Sequence, residues 1–100
     1  MSKRLRWLSI ALDDLEQAVE YLAQYNLSAA HNLANRIYDA VKILEENPEA
    51  GRPGRVAGTR ELVVSGTSYI VPYRIRDGEI QLLRVLHGAR RWPVKFRYRD

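Results

Sequence analysis

Between Arg84 and Pro93 the chain reads RVLHGARRWP, which sets a histidine, three arginines and a tryptophan within ten residues. His87 is the side chain in this stretch whose ordinary pKa lets it give or take a proton near neutral pH. Arginine offers a fixed fork that matches phosphate or carboxylate. Such groups could together cleave RNA without a metal. A base would take the 2′-hydroxyl proton, arginines would hold the phosphorane-like charge, and an acid would protonate the leaving 5′-oxygen. The residues available for this are Arg60, Arg74, His87 and Arg90, with Glu61 or Glu79 as another base. The competing reading makes His87 a hydrogen-bonded strand end and pairs the two glutamates with Arg74 or Arg76 across strands. Arg90, Arg91 and Trp92 also suit a basic, aromatic centre for contact with another macromolecule. Alternatively, Trp92 closes the core against Trp7 and the arginines are solvated.

Composition narrows the chemistry. The chain has no cysteine, and its two histidines, His31 and His87, lack ligand spacing, so neither metal nor cofactor is expected. His31 reads as a surface residue. MSKRLRW is not followed by the apolar stretch of a secretory signal, and no apolar run approaches membrane-spanning length. A soluble, cytoplasmic protein without membrane contact is the expectation. One hundred residues suffice for a single core, so residues 1–100 form one domain, with 94–100 as a C-terminal tail. Residues 1–50 carry five Lys/Arg and eight Asp/Glu, whereas residues 51–100 carry eleven and four. Lys95 is the only lysine of the basic half. That bias suggests an acidic partner, whether RNA, DNA or protein, or else dispersed solubility charge.

The elements that must position these residues follow from pattern. RLRWL alternates as a short strand. Ser9 reads as an N-cap, with Asp13 and Asp14 early in the helix. Leu8, Leu12, Leu15, Val19 and Leu22 stripe that helix. Ser28 reads as the cap of a second helix, striped by Ala30, Leu33, Ala34, Ile37, Val41 and Leu44 and stopped at Asn47-Pro48. The joint is short, so the two helices form an antiparallel hairpin. Tyr21, Tyr25 and Tyr38 read as an aromatic seam in the packing of that hairpin, with docking as the alternative. GRPGRVAG is a loop. Three β-type runs follow, TRELVVS, SYIVPYRIR and EIQLLRVLHG, joined by Gly66-Thr67 as a II′ turn and Asp77-Gly78 as a I′ turn. The fold class is α+β, in the order β-α-α-β-β-β, with the helical hairpin on one face of a twisted antiparallel sheet.

The Asp-Gly turn sets Arg76 opposite Glu79. Tyr69, Val71, Tyr73 and Ile75 then share the helix-facing side with Ile80, Leu82, Arg84 and Leu86. Ile70, Pro72, Arg74 and Arg76 share the open side with Glu79, Gln81, Leu83, Val85 and His87. Uncovered, Ile70, Leu83 and Val85 would be an exposed apolar patch and a partner site. Arg84, opposite Val71 on the apolar side, needs a carboxylate such as Asp13, Asp14 or Glu20. Pro72 does not fit a central strand, and either an edge or a bulge would accommodate it.

ALDDLEQAVEYL, LEENPEAGRPGRV, GTRELVV, SYIVPYRIRDGEI and LLRVLHGARRWP occur here in an order that resembles the RelE/ParE superfamily of bacterial toxins, over roughly residues 4–93. The resemblance implies a toxin held by a dedicated antitoxin in a toxin–antitoxin hetero-oligomer. RelE-like members cut mRNA in the ribosome, and ParE-like members poison DNA gyrase. Long helices and the ending HGARRWP favour the ParE-like branch, with the ribosome-dependent mRNA endonuclease as the alternative. Arg74, Arg76, Leu83, Val85, His87, Arg90, Arg91 and Trp92 are the residues expected to bind target or antitoxin, and the resemblance supports contact at RVLHGARRWP. Under the nuclease alternative, Tyr98 is a further candidate, in place of a C-terminal catalytic tyrosine.

Overall fold

In this computed structural model residues 3–96 are described, so Tyr98 lies outside the described residues. The elements are β1 (Arg4–Trp7), α1 (Ser9–Ala23), α2 (Leu27–Glu46), β2 (Arg52–Pro53), β3 (Arg60–Val63), β4 (Tyr69–Arg76), β5 (Glu79–Leu82) and β6 (Leu86–His87). The two helices form the expected hairpin, but both caps differ from the sequence reading. Leu8 occupies the first cap and has no side-chain acceptor, so Ser9 falls inside the first turn. Asn26, not Ser28, caps α2, its side chain accepting from the Ala29 N–H at 3.0 Å. Asn and Ser serve equally well at this position, and the two-residue offset is beyond what pattern resolves.

The sheet order is β1-β5-β4-β3-β2, with β6 pairing β4. Three expectations are corrected here. The sheet is mixed, because β1 lies parallel to β5, pairing Arg4 with Glu79 and Trp7 with Leu82. Part of GRPGRVAG is a strand, since Arg52 and Pro53 pair with Glu61 and Arg60. The turn near Gly66 is centred one residue earlier than expected: the Thr67 N–H donates to the Val64 carbonyl at 3.2 Å, with Gly66 at φ 78°. By contrast, Asp77 and Gly78 both take positive φ, 54° and 74°, as a I′ turn requires, and Arg76 faces Glu79.

The expected register holds from Glu79 to Leu82 and then shifts by one. The Leu83 N–H still donates to the Pro72 carbonyl at 2.9 Å, but Pro72 has no N–H to return. Ile70 next pairs with Leu86 and Tyr69 with His87, so Arg84 and Val85 together oppose Val71. That is a β-bulge. It inverts three assignments: Val85 and His87 lie on the helix side with Tyr69, and Leu86 lies on the open side with Ile70.

Two cores result. The main one packs Leu15, Leu33, Ile37, Val41 and Leu44 of the hairpin against Val71, Tyr73, Ile80, Leu82 and Val85. Of the first helix's expected stripe, Leu12 is exposed. The second core gathers Leu8, Leu83 and Phe96, flanked by Ile10, Val56, Leu86 and Trp92, on the sheet's open side. Ile70, Leu83 and Val85 are therefore all buried, and the expected exposed patch does not exist. The start of α1, through Ile10, and the segment from Trp92 to Phe96 cover that side. The aromatic expectations change too. Tyr21 and Tyr25 form an exposed edge-to-face pair at 5.4 Å, while Tyr38 packs on Trp7 at 5.4 Å. Trp7 is thus occupied by Tyr38 and not by Trp92.

Tyr73 ties the main core to the loop after α2. Its hydroxyl donates to the Pro48 carbonyl at 2.7 Å and accepts from the Gly51 N–H at 2.9 Å. A Cβ at Gly51 would lie 2.6 Å from the Tyr73 ring, which explains a glycine there. Tyr73→Phe leaves the buried Gly51 N–H and the half-buried Pro48 carbonyl unanswered, and is expected to cost about 1–3 kcal/mol in urea unfolding at unchanged m. A loss below a few tenths would mean that water replaces the hydroxyl.

Candidate functional site

A groove of about 430 Å³ runs between α1 and the chain from Val85 to Trp92. Asp14, Gln17, Ala18 and Tyr21 line one wall, at the i, i+3, i+4, i+7 spacing that puts them on one helix face. The floor holds Tyr69 and His87, whose rings meet edge-to-face at 5.5 Å. His87 Nδ1 accepts from the Ala89 N–H at 3.2 Å, and the His87 carbonyl accepts from the Arg90 N–H at 3.1 Å and Trp92 Nε1–H at 3.0 Å. This tight turn sends Arg90 and Arg91 outward at the groove's rim and folds Trp92 back beneath the sheet.

Asp14 secures the groove's inner edge. Its carboxylate takes both forks of Arg84, at 2.7 and 3.0 Å, and the Val85 N–H at 3.0 Å. The Asp14 hydrogen bond, opposed by burial and assisted by the carboxylate's charge, raises the Arg84 pKa above its already high ordinary value. Of the carboxylates expected to meet Arg84, Asp14 is the partner.

The opposite, open face carries a second group. Arg4 and Arg6 on β1 flank Glu79 and Gln81 on β5, with Arg76 and Arg74 on β4 beyond them. Arg74 Nε donates to Gln81 Oε1 at 2.6 Å, Gln81 Nε2 donates to Glu79 Oε1 at 2.9 Å, and Arg6 donates to the same oxygen at 3.3 Å. The Gln81 hydrogen bond, followed by Arg6 and Arg4 and opposed by desolvation, holds the Glu79 carboxyl below the usual carboxylate range. Among the described residues its ion pairs are with Arg4 and Arg6, not Arg76. Farther down this face Glu61, only 2% exposed, accepts from the Arg52 side chain and the Arg55 N–H. Arg55 in turn lies over the Trp92 ring, 3.6 Å from its centroid.

The sequence candidates therefore divide among four places. Val85, His87, Arg90, Arg91 and Trp92 meet at the groove. Arg74 and Arg76 belong to the arginine rows of the open face, and Leu83 is buried in the second core. Arg60 points elsewhere, its fork donating to the Gly51 and Glu49 carbonyls. Arg74 and His87 lie on opposite faces, five residues apart along β4 by their pairings, or about 17 Å. Sequence reading missed Arg4 and Arg6, although the alternation in RLRW already put them on one face. It also missed the Glu61–Arg55–Trp92 series, which long-range pairing creates.

The family model for the ParE toxin of type II toxin–antitoxin systems matches residues 5–92. The chain belongs to this toxin family. The Sinorhizobium fredii protein Y4kP, named as a toxin, is 42% identical over 91% of this chain and 94% of its own length. Toxin RelE2 of Caulobacter vibrioides is 38% identical, over 84% of this chain and 93% of its own. Among solved structures, the chromosomal ParDE system of P. aeruginosa superimposes with a TM-score of 0.79 at 29% identity, covering 86% of this chain and 96% of that one. The toxin–antitoxin complex RelBE2 of Mycobacterium tuberculosis gives 0.62 at 27% identity, covering 87% and 99%. This toxin thus has the α+β fold of both kinds of relative, with its groove and arginine face on opposite sides of one sheet.

Proposed function

We propose that this toxin inhibits DNA gyrase by binding it in the cytoplasm, and that a cognate antitoxin neutralises it. The observation that carries the reading is the separation of the groups a metal-independent nuclease would use. His87 shares the groove with Arg90 alone of that set and is engaged in a turn on the helix side, Arg74 lies on the other face, and the Arg60 fork is spent on loop carbonyls. General acid–base catalysis needs its groups within hydrogen-bond reach of one phosphate. The rim formed by Arg90 and Arg91 beside Tyr21 instead suits contact, since arginine and tyrosine are enriched where interfaces concentrate their energy. The antitoxin is supported by both solved neighbours, which are toxin–antitoxin systems.

The name of the RelE2 relative supports a second reading, a ribosome-dependent mRNA endonuclease. One pair of assays separates the two. With purified gyrase and plasmid, the full chain is expected to block supercoiling and leave cleaved DNA. His87→Ala combined with Arg74→Ala is expected to retain that inhibition within about threefold, the scale of a lost peripheral contact. If gyrase is untouched while mRNA is cut on translating ribosomes and the double variant abolishes cutting, the gyrase reading is wrong.

A further inference from the structure

The arginine rows of the open face take no part in the reading above. Their register makes them regular. Arg4, Glu79 and Arg76 lie side by side across β1, β5 and β4, and Arg6, Gln81 and Arg74 lie side by side in the next outward-facing row. With strands about 4.8 Å apart and same-face residues about 7 Å apart, the four guanidinium stems mark a rectangle of roughly 10 by 7 Å. Glu79, the one carboxylate within it, has a side chain only 12% exposed, whereas that of Arg4 is 84% exposed. The negative charge therefore sits at the base of the patch and the positive charges stand at its surface. Gln81 links Glu79 to Arg74, and Glu79 also accepts from Arg6, so these two arginine side chains are held before any ligand arrives.

We infer that this four-arginine rectangle binds the phosphate backbone of duplex DNA, without reading its sequence. Arginine forks match phosphate oxygens, and contacts of this kind position a protein on DNA without identifying bases. The same rows disfavour other polyanions. Single strands are held largely by stacking on aromatic side chains, and no aromatic stands in either row. Trp92, the tryptophan of this face, has its ring covered by Arg55. A protein partner would want an apolar anchor beside the charges, but Ile70 and Leu83 are buried, and Val63, an exposed apolar side chain of this face, pairs with Ile70, four residues along β4 from Arg74. The inference is independent of gyrase, because it concerns DNA and this chain alone.

Fluorescence anisotropy with a random duplex of about 20 base pairs tests it. Four arginines less one carboxylate neutralise about three phosphates, so affinity is expected to fall about 40-fold between 50 and 200 mM salt. Arg4→Gln with Arg76→Gln removes two exposed charges and leaves about one phosphate neutralised. For this variant the fall over the same salt range is expected to shrink to about threefold, with weaker binding at 50 mM. Lys42→Gln, on α2, is expected to behave as the parent. Three results would overturn the inference: no binding of the parent at 50 mM salt, an unchanged salt response in the double variant, or tighter binding of a single-stranded RNA or an acidic peptide than of the duplex. Inhibition of gyrase by a variant that no longer binds DNA would leave the proposed function standing and separate the two surfaces.

Discussion

Asp14→Ala is expected to destabilise the fold by about 3–4 kcal/mol, a large part of the stability of a domain this size. The reason lies in the bulge. Because two residues oppose Val71, the Val85 N–H loses its place in the strand ladder, and a buried donor without a partner costs about 1–3 kcal/mol. Asp14 supplies that partner and, with the same carboxylate, both hydrogen bonds to Arg84. Removing it leaves a cation mostly buried beside an unpaired amide. Asp14→Asn keeps one acceptor for Val85 and is expected to lose about half as much. Arg84→Met removes the buried charge together with its need for a partner, so Asp14→Ala combined with Arg84→Met is expected to be more stable than Asp14→Ala alone. Urea midpoints of the four proteins measure the coupling. Simple additivity would show that the carboxylate and guanidinium do not act as one unit.

This bulge also marks where sequence reading stops. Helical stripes, the Asp77-Gly78 turn and the alternation of β4 are local signals, and each carries its register with it. Leu33, Ile37, Val41 and Leu44 are buried as their spacing requires. A bulge depends on whether the neighbouring strand can return a hydrogen bond. Pro72 was the available sign of it, because a central-strand proline removes one rung. The one-residue shift that follows moved Val85 and His87 to the other face, and with them the assembly of the groove. The parallel β1–β5 pairing is similarly silent in sequence, since any short alternating strand could take either edge in either direction. Arg4 and Arg6 could be assigned to one face of their strand, but not to the face shared by Arg74 and Arg76. The covering of Leu83 depends on the segment from Trp92 to Phe96, whose place beneath the sheet no local pattern specifies. Its anchor is supplied by a carboxylate on a different strand.

Glu61→Ala is the substitution that isolates this anchor. Glu61 is buried on β3, and its Oε1 accepts from two Arg52 nitrogens at 3.1 Å each, while Oε2 accepts from the Arg55 N–H at 2.8 Å. Those bonds fix the loop after β2 so that the Arg55 guanidinium lies over Trp92. Trp92 is held from the other side by its own hydrogen bond to the His87 carbonyl. A cation over an indole contributes about 0.5–2 kcal/mol, and only if the cation is already placed. Losing the carboxylate strands one amide and two arginines, for an expected cost of about 3 kcal/mol. The loss should be uneven. The hairpin core does not use Glu61, so the second core, with Leu8, Leu83 and Phe96, should loosen first. In a Trp7→Phe background, where Trp92 is the sole indole, its emission should shift to the red and its quenching by acrylamide should rise before global unfolding. Glu61→Gln keeps the volume but sets an amide donor against the Arg55 N–H or the Arg52 fork, so it should reproduce most of the effect. Unaltered Trp92 emission in both variants would mean that the indole's bond to His87 suffices, and that Glu61 stabilises only the pairing of β2 with β3. A shift that appears with the hairpin intact would make the cover over the sheet's open side a separately stable unit, hinged at the turn that carries Arg90 and Arg91.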